Sequence, residues 1–326
     1  MIISRTPLRM SFVGGGSDLP VFYRKFGGAV VSTAIDRYIY VTVNQKFDNR
    51  IRISYSRTEE AKSIDRIKHP LVREGLKLVG LDGGIEITSI ADIPSKGSGL
   101  GSSSSFTVGL LNALHAYGGR HTGAEQLARE ACEIEIERCG EPIGKQDQYA
   151  AAFGGLNLIQ FNPDDSVSVE PVICQRETIR RLQAHVIVFF TGITRNASGL
   201  LKHQNSVLAA ERQKCDVTRK LVALAHTLCA ELRKDRVDAF GEIIHEGWLL
   251  KKSLTAKITT EAIDRWYQRA RQAGAIGGKL LGAGTGGFLM FYAPPDRHDA
   301  IAAALKLRRL DLHFEPQGSR IIFVHQ

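Results

Sequence analysis

The sequence predicts a two-domain protein of the α+β class, on three observations. The chain has 326 residues, which is long for one compact domain and suits two domains of roughly 150 residues each. The first half contains mostly short runs with alternating apolar residues, typical of strands, whereas the second half contains long helical stretches. Between them, residues 163–172 are polar and aperiodic. We therefore predict domains at 1–167 and 168–326.

The first half is predicted to be mainly β. The expected strands are residues 1–13, 28–45 as one or two strands, 50–56, 84–94 and 156–162. Pro70 suits the first turn of a helix over 69–81. A second helix is expected to open in the serine run 102–105 and to end at Gly118 and Gly119, and a third spans 122–140.

The second half is predicted to place helices on a small antiparallel sheet. The expected strands are 184–192, 286–295 and 320–325, and the expected helices are about 197–234, 236–255, 260–274 and 297–308.

The excess of basic residues limits the kinds of partner that the protein is expected to bind. Lys and Arg outnumber Asp and Glu by 43 to 34, a balance that suits nucleic acid, an anionic membrane or acidic small molecules. The basic residues are scattered and lack interleaved aromatic residues, so we expect no nucleic-acid partner. A phosphorylated substrate together with a nucleotide would use the same sign of charge.

The cysteines and the apolar runs favour a cytoplasmic enzyme. The five cysteines show no C-x-x-C spacing, which favours reduced thiols over disulfides or zinc. The N-terminus has no apolar run long enough for a signal peptide. No run of about 18 apolar residues is present, so we expect no membrane span.

The stretch PSKGSGLGSSSSF, residues 94–106, lies between a predicted strand and a predicted helix. Glycines at 97, 99 and 101 permit positive φ and a close approach of the backbone to a ligand. The first amides of a helix lack internal partners and attract phosphate. The loop is not a Walker A motif, because Lys96 precedes the glycines. Taken alone, it fits either a phosphate cradle or a plain loop with a serine N-cap.

Two further glycine clusters favour a ligand. One, at 277–287, precedes an apolar strand. The other, Gly14 to Gly16, is flanked by Arg5, Arg9, Ser17 and Asp18. Three such clusters are explained together by backbone packed closely around a compact ligand.

Four motifs then carry a family resemblance. They are RTPLRMSFVGGGSDLP (5–20), PSKGSGLGSSSSF (94–106), EPIGKQDQ (141–148) and KLLGAGTGG (279–287). Taken together, they resemble the motifs of the GHMP small-molecule kinases, which include galactokinase, homoserine kinase and mevalonate kinase. The first motif is most similar to the branch that phosphorylates the anomeric hydroxyl of heptoses, with fucokinase-type domains as near relatives.

The resemblance implies an N-terminal domain like ribosomal protein S5, a ferredoxin-like C-terminal domain and an active site between them. It also implies a kinase that uses ATP and Mg²⁺ on D-glycero-D-manno-heptose 7-phosphate, giving the 1,7-bisphosphate for nucleotide-activated heptose synthesis. Two alternatives stay open: a kinase for fucose or another hexose, and a non-catalytic sugar sensor on the same fold. The oligomeric state also stays open, a homodimer being among the possibilities.

The same resemblance assigns the catalytic and metal-binding roles. Asp147 matches the catalytic aspartate, which would accept the proton of the attacking hydroxyl. Arg9 matches an arginine that would pair with Asp147 and neutralise phosphoryl charge, with a structural salt bridge as the alternative. For Mg²⁺ the matching residues are Ser103 and Glu137. Glu133 and Glu135 are alternates to Glu137.

The remaining predicted residues bind nucleotide or sugar. The nucleotide residues are Lys96, Gly97, Ser98, Gly99, Leu100, Gly101, Ser102, Ser103 and Ser104. The sugar residues are Gly15, Gly16, Ser17, Asp18, Gly144 and Gly284. A cationic pocket for the 7-phosphate would use Arg195 and Lys202, with Lys251 or Lys252 behind them. The cluster that contains Gly284 would cover the phosphates or brace the sugar site, or else pack the two domains together.

Overall fold

The computed structural model describes residues 1–93, 97–194 and 197–325. Its strands are β1 (Ile2–Val13), β2 (Gly28–Gln45), β3 (Ile51–Ser54), β4 (Thr58–Ala61), β5 (Ile85–Ala91), β6 (Leu156–Phe161), β7 (Val167–Pro171), β8 (Val186–Phe190), β9 (Gly277–Leu280), β10 (Phe288–Tyr292), β11 (Arg308–Leu310) and β12 (Arg320–Val324).

The helices lie between and around these strands. They are α1 (Pro20–Phe26), α2 (Pro70–Val79), α3 (Ser102–Tyr117), α4 (Ala124–Cys132), α5 (Gln146–Phe153), α6 (Arg176–His185), α7 (Ala197–Ala210), α8 (Arg212–Arg233), α9 (Phe240–Leu254), α10 (Glu261–Gln272) and α11 (His298–Leu305). The predicted α+β class is confirmed. None of the described helices is long and apolar enough to cross a membrane.

The first sheet is organised around the long antiparallel pair β1 and β2. Its strand order is β12-β1-β2-β5-β3-β4, and β6 pairs with both β2 and β7. Helix α3 lies directly on β1, and small residues permit the close approach. Ser105 donates to the carbonyl of Pro7 at 2.8 Å, and a Cβ at Gly109 would lie 2.6 Å from the Thr6 hydroxyl oxygen. This packing fixes the N-terminus of α3 relative to β1.

The second sheet is smaller and fully antiparallel, in the order β11-β8-β10-β9. Strand β10 is buried along its whole length. Helix α9 packs on it through Phe240, whose ring lies 5.1 Å from that of Tyr292. The arrangement agrees with the ferredoxin-like domain that the resemblance implies.

The predicted boundary at residue 167 needs two corrections. Strand β7 continues to Pro171 and still belongs to the first sheet through its pairing with β6. The last strand, β12, returns to the same sheet by pairing with β1. The first domain therefore includes a segment from the end of the chain, which local sequence patterns do not reveal.

Other predicted elements also differ, and the helix expected over about 197–234 is divided into α7 and α8. The strand expected over 184–192 begins only at Val186, because α6 continues to His185. The helix expected over 122–140 is α4, followed by a π-helical segment, Glu133–Arg138. The π-helical segment matters for the site, since it changes which glutamate faces inward.

Candidate active site

Most of the predicted site residues meet at one cavity between the two domains. The first domain contributes the end of β1, the glycine loop, the N-terminus of α3 and the segment before α5, and the second contributes α7, α9 and β9. The predicted residues that line the cavity are Arg9, Gly15, Gly16, Asp18, Gly97, Ser98, Gly99, Gly101, Ser102, Ser103, Ser104, Gly144 and Asp147. Lys96 and Arg195 lie outside the described residues.

Arg9 and Asp147 form a two-pronged ion pair. Arg9 is on β1 and only 4% exposed, and Asp147 is in the first turn of α5. Arg9 Nε donates to Asp147 Oδ1 at 2.8 Å, and Nη2 donates to Oδ2 at 2.7 Å. The remaining guanidinium nitrogen, Nη1, donates to the carbonyl of Gly99 at 2.7 Å. One arginine therefore connects the predicted base to the glycine loop.

The glycine loop takes a conformation that only glycine adopts easily. Gly97, Gly99 and Gly101 have φ of 70°, 76° and 76°, in the left-handed region. Gly101 is the N-cap of α3, so the amides of the first helical turn lack helical acceptors, and Ser102, Ser103 and Ser104 of that turn line the cavity. Leu100 is buried under the loop, and its carbonyl accepts from the Arg9 amide at 3.0 Å.

The third glycine cluster packs against this loop. A Cβ at Gly99 would lie 2.5 Å from the carbonyl oxygen of Leu281, and one at Gly287 would lie 2.4 Å from that of Ser98. Gly282 and Ala283 line the cavity. Gly284 does not, because its Cα faces Ile258, whose carbonyl oxygen a Cβ would approach to 2.8 Å. The cluster thus packs the domains together and also contributes to the cavity wall.

Glu135, rather than Glu137, lies beside Ser103. The Glu135 carboxylate accepts from Ser103 Oγ at 3.1 Å, from Ser104 Oγ at 2.7 Å, and from Thr107 and Gln148. It is 1% exposed, and burial raises its pKa despite these hydrogen bonds. Glu137, the residue predicted at the metal, is exposed to solvent and does not line the cavity, whereas Glu135 does.

The π-helical segment explains why Glu135, and not Glu137, lies beside Ser103. Backbone hydrogen bonds in a π-helix join residues five apart, as Cys139 N to the Ile134 carbonyl does here, instead of four apart as in an α-helix. Arg138 accordingly pairs with Glu133 at 2.6 Å on the outer surface, and Glu135 turns into the interior. The donor set of Glu135 and Ser103 consists of hard oxygen atoms, which fits Mg²⁺, an ion that takes few protein ligands. The described residues contain no cluster of three or more metal-binding side chains.

Asp18 is held rigidly at the predicted sugar end of the cavity. Its Oδ1 accepts from the Gly16 amide at 2.9 Å, and its Oδ2 accepts from Gln146 Nε2 at 3.0 Å. Burial raises the pKa of Asp18, and the charge of Asp147 adds to that effect. A Cβ at Gly144 would lie 2.0 Å from Asp18 Oδ2, so only glycine fits there. Ser17 does not line the cavity; it is bonded to the backbone of residue 29.

Three polar atoms in the cavity wall belong to residues that the sequence analysis did not predict as site residues. Ser11 Oγ, Gln146 Oε1 and Gln204 Nε2 are buried and have no hydrogen-bond partner among the described residues. Gln204 lies on α7 and is 4% exposed. Buried polar groups without partners are uncommon, so these atoms suit a ligand with hydroxyl groups. Ser11 and Gln146 lie within two of the quoted motifs but were given no role there, and Gln204 lies outside all four motifs.

The predicted cationic pocket is only partly found. Lys202 is exposed on α7 and does not line the cavity. Lys251 does line it, whereas Lys252 is paired with Asp264 at 2.9 Å. A further lysine, Lys279 on β9, donates to the carbonyls of Ser11 and Phe12 at 2.7 and 2.8 Å. Burial sets its pKa well below the ordinary value for lysine.

Comparison with known proteins matches both halves of the chain. The family model for the GHMP kinases N terminal domain matches residues 66–155, and that for GHMP kinases C terminal matches residues 228–310. The chain is 30% identical to the D-glycero-alpha-D-manno-heptose 7-phosphate kinase of Campylobacter jejuni, over 97% of each chain. It is 26% identical to the bifunctional fucokinase/GDP-fucose pyrophosphorylase of Arabidopsis thaliana, over 95% of this chain and 31% of that one.

A solved structure is similar over the same extent. It is that of a D-glycero-D-manno-heptose 1-phosphate kinase from Bacteroides thetaiotaomicron, with a TM-score of 0.83, 28% identity and coverage of 100% of both chains. Both domains, and the cavity between them, therefore lie within the matched region.

Proposed function

The chain belongs to the GHMP kinase family, and from that premise we propose that it phosphorylates the anomeric hydroxyl of D-glycero-D-manno-heptose 7-phosphate. ATP-dependent sugar-kinase activity follows from the family and its relatives. The heptose phosphate is proposed because two relatives, 30% and 28% identical over 97% and 100% of this chain, are named as heptose-phosphate kinases. The product would be the 1,7-bisphosphate, a precursor of nucleotide-activated heptose.

The observation that carries this proposal is the placement of Asp147. Asp147 lines the same cavity as Asp18 and the first residues of α3, and Arg9 holds both oxygens of its carboxylate. A hydroxyl bound between Asp18 and Asp147 would donate its proton to Asp147. The oxygen would form a bond to the terminal phosphorus of ATP while the bond to the bridging oxygen breaks, and that electron pair stays on ADP.

Arg9 would have two roles in this mechanism. It fixes the direction in which the Asp147 carboxylate points, because two of its three side-chain hydrogen bonds are made to that group. Its positive charge also lies next to the glycine loop, through Gly99, where it would offset phosphoryl charge. Phosphoryl transfer depends mainly on such positioning and charge neutralisation.

The nucleotide would be held by backbone. Residues 97–104 present amides and serine hydroxyls at the N-terminus of α3, an arrangement that binds phosphate. Glu135 and Ser103 would hold Mg²⁺. When bound, this ion would neutralise charge on the nucleotide phosphates.

The sugar would lie over Gly15 and Gly16. Asp18 offers a carboxylate oxygen to neighbouring hydroxyls, and Ser11, Gln146 and Gln204 offer the unpartnered atoms described above. A polar wall of this kind discriminates strongly between hydroxyl patterns, because a wrong sugar leaves buried groups unpaired.

The test is a measurement of ADP release over a panel of sugars and sugar 7-phosphates. We expect D-glycero-D-manno-heptose 7-phosphate to have the highest kcat/KM, and turnover to be lost in Asp147→Asn. Highest activity on an unphosphorylated hexose would contradict the heptose phosphate. Fucose is the second candidate, since the chain matches a fucokinase over 95% of its length. Sugar binding without turnover on any member would instead support a sensor.

A further inference from the structure

A second cation lies in the cavity beside Arg9. Lys251, on α9, lines the cavity and is 8% exposed. Its ammonium donates to the carbonyl of Gly282 at 2.5 Å. No ion pair found among the described residues includes Lys251, although its neighbour Lys252 is paired with Asp264. An ammonium group has three protons to donate, and one of them has an acceptor among the residues that the structure describes.

The charged side chains around Lys251 do not neutralise the positive charge of its ammonium group. Burial and the positive charge of Arg9 lower its pKa to about 8, against the opposing influence of Asp18 and Asp147. Asp147 is already bound through both oxygens to Arg9, and Asp18 is bound to Gly16 and Gln146. A buried charge without a counter-charge is costly. An anionic ligand in the cavity would supply the missing counter-charge.

The contacts of Lys251 place it at the nucleotide side of the cavity. The carbonyl that it holds belongs to Gly282, and a Cβ at Gly282 would lie 2.5 Å from the Cα of Gly99. The carbonyl of Gly99 in turn accepts from Arg9. Lys251 and Arg9 thus approach the same point of the glycine loop, one from each domain. A terminal phosphoryl group between that loop and Asp147 would lie between the two cations.

We propose that Lys251 is a catalytic residue that donates a hydrogen bond to a non-bridging oxygen of the terminal phosphoryl group of ATP. This rests on the proposed function, in which that group passes to a hydroxyl activated by Asp147. Lys251 gives up no proton in the step. It holds the charge on the phosphoryl oxygens while the bond from phosphorus to ADP breaks and the bond to the sugar oxygen forms.

The first test compares nucleotides and needs no sugar. Lys251→Met keeps the length of the side chain and removes the charge, and Lys252→Met is the matched control, since Lys252 is outside the cavity. We expect Lys251→Met to bind the β,γ-imido analogue of ATP about tenfold more weakly than wild type, with ADP affinity unchanged, by titration calorimetry with magnesium chloride. Equal losses for both nucleotides, or no loss, would overturn the proposal.

The second test is kinetic and uses the best acceptor of the sugar panel. Lys251→Met should lower kcat about 10²-fold with little change in the KM for the sugar, and Lys251→Arg should restore part of the rate. A rise confined to the KM for phosphorylated sugars would instead assign Lys251 to the sugar's own phosphate and overturn the proposal. If no sugar is turned over, the nucleotide comparison still decides the role of Lys251.

Discussion

Arg9 and Asp147 are joined by two parallel hydrogen bonds of 2.8 and 2.7 Å, from neighbouring guanidinium nitrogens to the two carboxylate oxygens. This geometry fixes a carboxylate more firmly than a single contact does. Because Arg9 also holds the Gly99 carbonyl, the base and the phosphate loop keep a fixed distance. The pair therefore connects proton acceptance to nucleotide position.

Asp147→Asn should lower kcat by about 10³-fold, within the range for loss of a general base. The amide cannot take the hydroxyl proton, and its NH₂ group would face Arg9. Affinity for ADP should stay within about twofold of wild type, because the loop amides are unchanged. Steady-state kinetics and nucleotide titration check both expectations. Asp216→Asn, at an exposed pair on α8, is the control, and a normal rate for Asp147→Asn would remove this residue from the base role.

Glu135→Gln and Glu137→Gln form a matched pair for the metal site. Glu135→Gln should raise the Mg²⁺ concentration for half-maximal activity about tenfold, because it removes the charge that a hard cation prefers. Ser103→Ala should shift it in the same direction. Glu137 is exposed, so its substitution should leave the magnesium titration unchanged. A larger effect at Glu137 than at Glu135 would contradict the corrected assignment.

Gly144→Ala should damage sugar binding specifically. The added Cβ would lie 2.0 Å from Asp18 Oδ2, so Asp18 must move away from its bonds to Gly16 and Gln146. We expect the KM for the sugar to rise about tenfold or more while the KM for ATP changes little. Gly123→Ala is the control, since nothing lies within 4 Å of that position. Wild-type KM for the sugar in Gly144→Ala would show that Asp18 does not contact it.

Lys251→Met should stabilise the fold at neutral pH. The pKa of Lys251 falls to about 8 in the folded state, whereas an unfolded lysine has a value of about 10.4. The cost of burying the ammonium, about 3 kcal/mol, is therefore fully present below pH 8 and disappears as the pH rises toward 10.4. After about 1 kcal/mol for the lost hydrogen bond to Gly282, the variant should gain about 2 kcal/mol at pH 7.

Urea denaturation at pH 7 and pH 10 checks this sign. The gain should be present at pH 7 and should be lost by pH 10, with no such trend in Lys252→Met. A gain that is the same at both pH values would mean that Lys251 does not titrate as a buried group.

Sequence reasoning succeeded where the information is local. Residues 28–45, predicted as one or two strands, form the single strand β2, because β-branched and aromatic residues recur along its length. The glycines at 97, 99 and 101 do adopt positive φ. Arg9, Asp18 and Asp147 were placed by motif and meet in one cavity. In each case a few adjacent residues dictate the backbone or carry the motif.

The sequence-based predictions were incomplete where a residue's position depends on distant parts of the chain or on small changes of helical pitch. Glu135 could not be chosen over Glu137, because a residue pattern does not distinguish a π-helical turn from an α-helical one. Gln204 and Lys279 became part of the cavity wall only through domain packing. Strand β12 joined the first domain for the same reason, since its partner lies more than 300 residues earlier.

The central claim is that phosphate passes from ATP to the anomeric oxygen of a heptose 7-phosphate, with Asp147 accepting the proton. The most direct measurement is phosphorus–proton correlation NMR of the product made from ATP and D-glycero-D-manno-heptose 7-phosphate. The account predicts a second phosphorus resonance coupled to the anomeric proton H1, absent when Asp147→Asn replaces the wild-type protein. A new phosphate coupled to any other sugar proton, or an unchanged sugar with wild-type protein and ATP, would contradict it.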